Sequence, residues 1–170
     1  PSGVAYDTEA DVWAALADMP TQRCCFSITA VDGKIYAIGG SPIFDAVTAA
    51  VEVYDPATNT WEKRADMLTA RFGLSTAAVN GKIYAIGGGA GPGLLLQTVE
   101  EYDPVADAWA PKEDMPTARA WLANAAPAVN GKIYVIGGWI DAEQGVDFSI
   151  ATVEEYDPVA DTWTPKADMP

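Results

Sequence analysis

The chain contains no histidine. That absence removes Ser–His–Asp and Cys–His nucleophile systems and every metal site built on imidazole. Cysteine is scarce too, and the only two, Cys24 and Cys25, are neighbours. A vicinal disulfide needs strained geometry, whereas adjacent strand residues point to opposite faces. Two free thiols behaving as small buried hydrophobes are therefore expected, with no disulfide framework. Basic residues are few, 10 against 24 acidic, for a net charge of −14. Such a surface opposes nucleic-acid backbones and anionic lipid, so neither is expected as a partner. No apolar run approaches the roughly 18 residues of a membrane span. The first residues, Pro1-Ser2-Gly3, carry no signal-peptide pattern and no initiator Met, as expected of a soluble chain processed or cut from something longer, its compartment undetermined. Gly at 15 and Pro at 12 rule out collagen-like or low-complexity sequence. What is present is 170 residues, 49% hydrophobic and 10% aromatic, enough for a sizeable core.

Those residues are repetitive. Val79-Asn80-Gly81-Lys82-Ile83-Tyr84-Ala85-Ile86-Gly87-Gly88 recurs from Val31 to Gly40 and from Val129 to Gly138. A second block, Val99 to Trp109 with Tyr102-Asp103-Pro104, recurs from Val51 to Trp61 and Val153 to Trp163, and degenerately from Val4 to Trp13. A third, Asp-Met followed by Thr-x-Arg, ends at Arg23, Arg71 and Arg119. The tyrosines at 6, 54, 102 and 156 set a period of 48, 48 and 54. A period of this size marks a modular repeat architecture.

Each unit reads as four short strands, A to D. Strand A runs from the Arg to the Val (Arg71 to Val79) and ends at Asn80-Gly81, Asn130-Gly131 or Asp32-Gly33, pairs suited to a type I′ hairpin turn. Strand B (Lys82 to Ile86) stops at Gly-Gly. Strand C stops at Asp-Pro, where proline has no ladder donor. Strand D carries the Trp. No helical period is sustained. Strand B is apolar on both faces, so its sheet must be covered on both sides. A radial stack of four-stranded sheets, a β-propeller, meets that need.

The Gly-Gly pairs Gly39-Gly40, Gly87-Gly88 and Gly137-Gly138, the tyrosines Tyr54, Tyr102 and Tyr156, and the tryptophans Trp61, Trp109 and Trp163 stand at offsets that resemble the kelch repeat. The resemblance covers essentially the whole chain. It implies an all-β fold, a partial kelch β-propeller of three four-stranded antiparallel blades (19–66, 67–114 and 115–170) preceded by an N-terminal half blade, strands C and D only (1–18). It also implies roles chiefly in protein recognition, with copper oxidases and sialic-acid mutarotases among the family's few enzymes. The copper chemistry depends on histidine ligands and is excluded. About three and a half blades fall short of the 4–8 of a closed ring. Two readings follow: the missing blades belong to a longer parent chain, or two copies associate as a homo-oligomer, a dimer completing a six-bladed ring.

Up-and-down strand order places the B–C and D–A connections on one face. The B–C segments vary, with ten residues over 41–50, ten over 89–98 and fourteen over 139–152. Variable loops on a rigid frame are where recognition usually sits. Arg23, Arg71 and Arg119 begin strand A on this face. Since strand A is innermost in kelch propellers, the resemblance would bring them around the channel mouth. There they could grip carboxylates of an acidic peptide, or simply hydrogen-bond carbonyls of their own blades. Phe44, Trp121, Trp139 and Gln144 have no repeat counterparts and are candidate partner contacts, although Trp121, read on strand A, could equally be core. The repeated Gly, Tyr and Trp residues are packing positions. Glu52, Glu100 and Glu154 are expected to be structural or solvated. The glycine-rich stretch 87–93 lacks any phosphate-loop pattern and reads as a flexible loop. The expected function is a binding module for a protein or peptide, with no catalytic residues, cofactor or metal. A kelch-type sugar mutarotase and a scaffold without a ligand are the alternatives.

Overall fold

The structure, a computed structural model, describes residues 3–42, 46–122, 126–142 and 146–170. Every regular element among them is a strand. The first two, β1 (Val4–Asp7) and β2 (Val12–Ala15), form a two-stranded antiparallel hairpin, the half blade. β3 (Ser27–Val31), β4 (Lys34–Ile38), β5 (Val51–Asp55) and β6 (Thr60–Arg64) make the first four-stranded blade, in sequential order. The second blade is β7 (Ser75–Val79), β8 (Lys82–Ile86), β11 (Val99–Asp103) and β12 (Ala108–Lys112), interrupted by the small hairpin of β9 (Gly89–Gly91) and β10 (Leu94–Leu95). The third is β13 (Ala128–Val129), β14 (Lys132–Ile136), β17 (Val153–Asp157) and β18 (Thr162–Lys166), with β15 (Trp139–Ala142) and β16 (Val146–Ser149) as its own inserted hairpin. This is the expected partial propeller.

Turn chemistry fixes the register. Asp32, Asn80 and Asn130 have φ of 50°, 51° and 52°, and each following glycine is also positive, which is the I′ geometry. The Gly-Gly pairs answer to the next blade. A Cβ on Gly39 would stand 2.6 Å from the Arg71 carbonyl oxygen, and one on Gly87 2.8 Å from that of Arg119. No side chain fits there. The amides of Gly40 and Gly88 then bond those same carbonyls at 2.8 and 2.9 Å.

The core lies between blades. Val31, Tyr36, Ile38 and Val51 of the first pack on Leu74, Ile83, Ala85 and Tyr102 of the second. The second presents Val79, Tyr84, Ile86 and Val99 to Leu122, Ile133, Val135 and Tyr156 of the third. Among the described residues nothing packs on the far side of the third. Ile38 and Ile86 are fully buried, whereas their counterpart Ile136 is 41% exposed.

Three expectations need correction. Strand A begins at Ser75 rather than Arg71, and in the third blade it shrinks to Ala128–Val129, because the segment from the Arg onward bonds neighbouring blades and B–C segments instead of its own sheet. The stretch 89–95 is a hairpin, not an unstructured loop. Cys24 is exposed rather than buried, because it lies ahead of β3 and is followed by the left-handed kink of Cys25 at φ 57°. Of the two readings of Glu52, Glu100 and Glu154, the structural one holds: all three are buried, for the reason given next.

Candidate binding face

Each of the three arginines pairs with the glutamate of its own blade. Arg23 Nη1 lies 3.0 Å from Glu52 Oε2, Arg71 Nη2 2.5 Å from Glu100 Oε1, and Arg119 Nη2 2.7 Å from Glu154 Oε2. All six side chains are buried. Arg71 Nη1 also donates to the carbonyls of Gly87 and Thr98, at 3.0 and 2.9 Å, which close the base of the B–C segment. Arg23 and Arg119 donate to the carbonyls of Ala37 and Val135. Thr21 and Thr117 donate hydroxyls to Glu52 and Glu154, and the Leu68 amide donates to Glu100. Burial pulls each guanidinium below its ordinary pKa, and the facing carboxylate opposes that pull. Of the two readings of the arginines, the geometry favours bonding within their own blades, as buried ion pairs that also reach blade carbonyls, over an open basic ring. Their charge is spent within each blade.

Beside these pairs, a backbone kink repeats. Cys25, Gly73 and Trp121 occupy the same place in successive blades with φ of 57°, 59° and 51°. They are joined across blades by Gly73 N–H to Cys25 O at 2.8 Å and Leu122 N–H to Gly73 O at 3.3 Å. Glycine suits this left-handed conformation, whereas a bulky side chain there is unusual and strained. Trp121 therefore sits on the kink before β13 and is 49% exposed. Its indole meets Phe72 edge-on, with centroids 5.4 Å apart.

Trp139 follows Gly137-Gly138 as the first residue of β15. It is 45% exposed, and its backbone forms a bridge with Ala120. The bridge from Ala120 sets the backbone of Trp139 beside the residue that precedes Trp121, at the start of the β15–β16 hairpin, and β10 lies against β15. Phe72, whose ring touches Trp121, was not singled out in the sequence. Its only signal was its place directly after Arg71, at the start of the same kinked segment. Phe44 and Gln144 lie outside the described residues. Among the described residues no cluster of His, Cys, Asp or Glu could hold a metal, and no helix is long and apolar enough to cross a membrane.

The repeat packing residues form one further pattern. Tyr54, Tyr102 and Tyr156 lie opposite Trp61, Trp109 and Trp163 in register. Each of these indoles donates to a carbonyl of the preceding linker, Ala17, Ala65 or Glu113, at 2.9 Å.

Comparison with known proteins agrees with this geometry. The kelch motif matches at residues 22–68, 70–116 and 122–170. No curated protein matches the chain. Among solved structures, that of YjhT superposes with a TM-score of 0.81 at 21% identity, covering 99% of this chain and 59% of that one. The chain thus spans under two thirds of that protein's length, and the likeness is one of fold. With three matched motifs, each coinciding with a four-stranded sheet, the chain belongs to the kelch-repeat family.

Proposed function

We propose that this chain is a protein- or peptide-recognition module that engages its partner through the aromatic face formed by Phe72, Trp121 and Trp139. Kelch repeats are generally protein-interaction modules. The observation that carries the reading to these residues is Trp121. Its blade-two counterpart is glycine, the residue that the left-handed backbone favours, yet here a large indole is held in that conformation and half exposed. Exposed aromatics with few rotatable bonds are the usual anchors of protein interfaces. The hairpins beside them supply sequence that differs from blade to blade. Recognition of an acidic peptide by Arg23, Arg71 and Arg119 would require displacing Glu52, Glu100 and Glu154. The aromatic face needs no such exchange, so the partner is engaged chiefly by apolar contact. Further blades, from a second copy or from the same polypeptide, complete the propeller.

The test is to select binders from a random peptide library and titrate them against Trp121→Gly and Trp139→Ala. Trp121→Gly removes strain and should leave stability equal or higher, while affinity falls at least tenfold. Undiminished affinity in both variants would refute the reading. The mutarotase alternative would need arginine and carboxylate groups free to act on a sugar, and those present neutralise one another. Sialic-acid mutarotation no faster than in buffer, followed by NMR, is the expected result.

A further inference from the structure

The two cysteines are neighbours in space as well as in sequence. On a strand their side chains would diverge. Cys25 instead carries the left-handed kink, φ 57°, that Gly73 and Trp121 carry in the blades that follow. The kink brings the two side chains together. Their sulfurs stand 3.3 Å apart, with Cys24 exposed and Cys25 half-buried.

The backbone beneath them is held at both residues. The Cys24 amide donates to the Ser41 carbonyl at 2.9 Å, and the Cys24 carbonyl accepts from the Ser41 amide at 2.8 Å. The Cys25 carbonyl accepts from the Gly73 amide of the second blade, also at 2.8 Å. Contact between the sulfurs is therefore imposed by the frame of two blades and not by a loose turn.

Three uses of such a pair can be compared. A disulfide fits poorly. The two residues are joined by a trans peptide, which sets their Cα atoms about 3.8 Å apart, short of the roughly 4.4–6.8 Å usual for a disulfide. Burial and the contact with Cys24 also raise the Cys25 thiol above its ordinary pKa, which lowers its thiolate fraction and slows attack on an oxidant. Zinc fits poorly too. A structural zinc ion takes four ligands, and among the described residues no group of three or more His, Cys, Asp or Glu could hold a metal. A trivalent arsenic centre fits well. It is thiophilic, needs only two sulfurs beside the substituent it brings, and its bonds stand near right angles. With bonds about as long as the 2.3 Å of zinc to thiolate, it holds two sulfurs roughly 3.3 Å apart.

We propose that Cys24 and Cys25 form a clamp for one trivalent arsenical, inorganic or organic, bound through both sulfurs. Two As–O bonds of the hydrated arsenical break and two As–S bonds form. Each thiol proton leaves with a hydroxide as water, and nothing is oxidised or reduced. The clamp uses neither Phe72, Trp121 nor Trp139, so it is independent of the recognition reading.

The experiment titrates the reduced chain with phenylarsine oxide and reads native intact mass together with free thiols. One adduct per chain should form, with both thiols lost together, resistant to excess monothiol and stripped by a dithiol. Cys24→Ser leaves one sulfur, as does Cys25→Gly, which puts at the kink the residue that the second blade has there. Either should weaken binding at least about a hundredfold, as loss of a second tethered contact does. Because the fold already holds the sulfurs in contact, loading should raise the urea midpoint of the chain. The proposal is overturned by the absence of an adduct, by a single-cysteine variant that binds as tightly, by a loaded chain whose midpoint is unchanged or lower, or by recovery of the pair as a disulfide in place of the adduct. Peptide affinity of the Trp121 and Trp139 variants is measured separately, so failure of the clamp leaves the recognition reading standing.

Discussion

Trp109 donates its indole N–H to the carbonyl of Ala65, 44 residues earlier, at 2.9 Å. The Ala65 amide returns a bond of the same length to Asp107, two residues before the tryptophan. One peptide of the linker is therefore gripped from both sides by the blade that follows it. Strand ladders hold each blade together, whereas this grip and the apolar faces hold one blade to the next. Trp109→Phe should keep most of the ring packing and lose one bond, lowering unfolding free energy by about 1 kcal/mol. Urea denaturation measures this, and a midpoint identical to that of the parent chain would show that the bond contributes nothing.

Asp107 does three things at once. It accepts from the Ala65 amide, accepts from the Tyr102 hydroxyl at 2.6 Å, and adopts φ 49°. The first blade does the same with Asn59, whose Oδ1 accepts from Ala17 and Tyr54. Asparagine therefore suffices for the geometry. Asp107→Asn should change stability by no more than about 0.5 kcal/mol at neutral pH, whereas Asp107→Ala, losing the two bonds that Oδ1 accepts and a residue tolerant of the left-handed region, should cost about 2 kcal/mol. Equal effects of the two substitutions would argue against the acceptor role.

That difference between Asn59 and its counterparts gives a pH dependence. The Ala65 amide and the Tyr102 hydroxyl lower the pKa of Asp107, and the Tyr156 hydroxyl with the Glu113 amide lowers that of Asp161. A carboxyl depressed in the folded state binds fewer protons than in the unfolded chain. Its contribution is fully present above the ordinary carboxylate value, about pH 4, and is lost as pH falls below it toward the depressed value. The chain should hold its stability down to about pH 4 and then lose it, with the junctions built on Asp107 and Asp161 weakening and that on Asn59 unaffected. The double variant Asp107→Asn, Asp161→Asn should show a shallower acid limb in denaturation followed by tryptophan fluorescence. An unchanged limb would assign acid sensitivity to other carboxylates, such as Asp103 and Asp157 beside Lys82 and Lys132.

The strands, turns and stacking of blades were legible because they follow from local chemistry repeated at a fixed period. Asn80-Gly81 specifies its turn whatever surrounds it, and strand B, apolar on both faces, demands two neighbours. The candidate site was less legible. Arg71 and Glu100 each repeat in every blade, but nothing local says that they meet. The only signal was that both recur once per blade, 29 residues apart in the first two blades and 35 in the third. Trp121 was readable as an oddity and not as an exposed one, since its exposure depends on a φ of 51° that only the cross-blade bonds of Gly73 and Leu122 impose.

The Arg71–Glu100 pair is removed from water, so its two charges are safe only together. Arg71→Met strands the Glu100 carboxylate and should cost about 3–5 kcal/mol, while Arg71→Met with Glu100→Leu should recover most of that loss. The cycle is read by chemical denaturation. A double variant as unstable as the single one would mean that the arginine's bonds to the Gly87 and Thr98 carbonyls, rather than charge balance, hold the segment.

Gly87 and Gly137 form a natural comparison, one at a filled junction and one at the open face. Both have left-handed backbones, with φ of 60° and 63°, so alanine at either incurs a similar conformational cost of about 1–2 kcal/mol. They differ in what the new methyl meets. At Gly87 it would stand 2.8 Å from the Arg119 carbonyl of the next blade, an immovable backbone atom. At Gly137 the nearest atoms are the Ile150 carbonyl and the flexible end of Met169, both at 3.2 Å. Gly87→Ala must push two blades apart and should be the more destabilising by at least about 1 kcal/mol, as overpacking in a dense interface is. Equal losses on thermal unfolding would locate the whole penalty in the backbone conformation and none in the approach of the neighbouring blade.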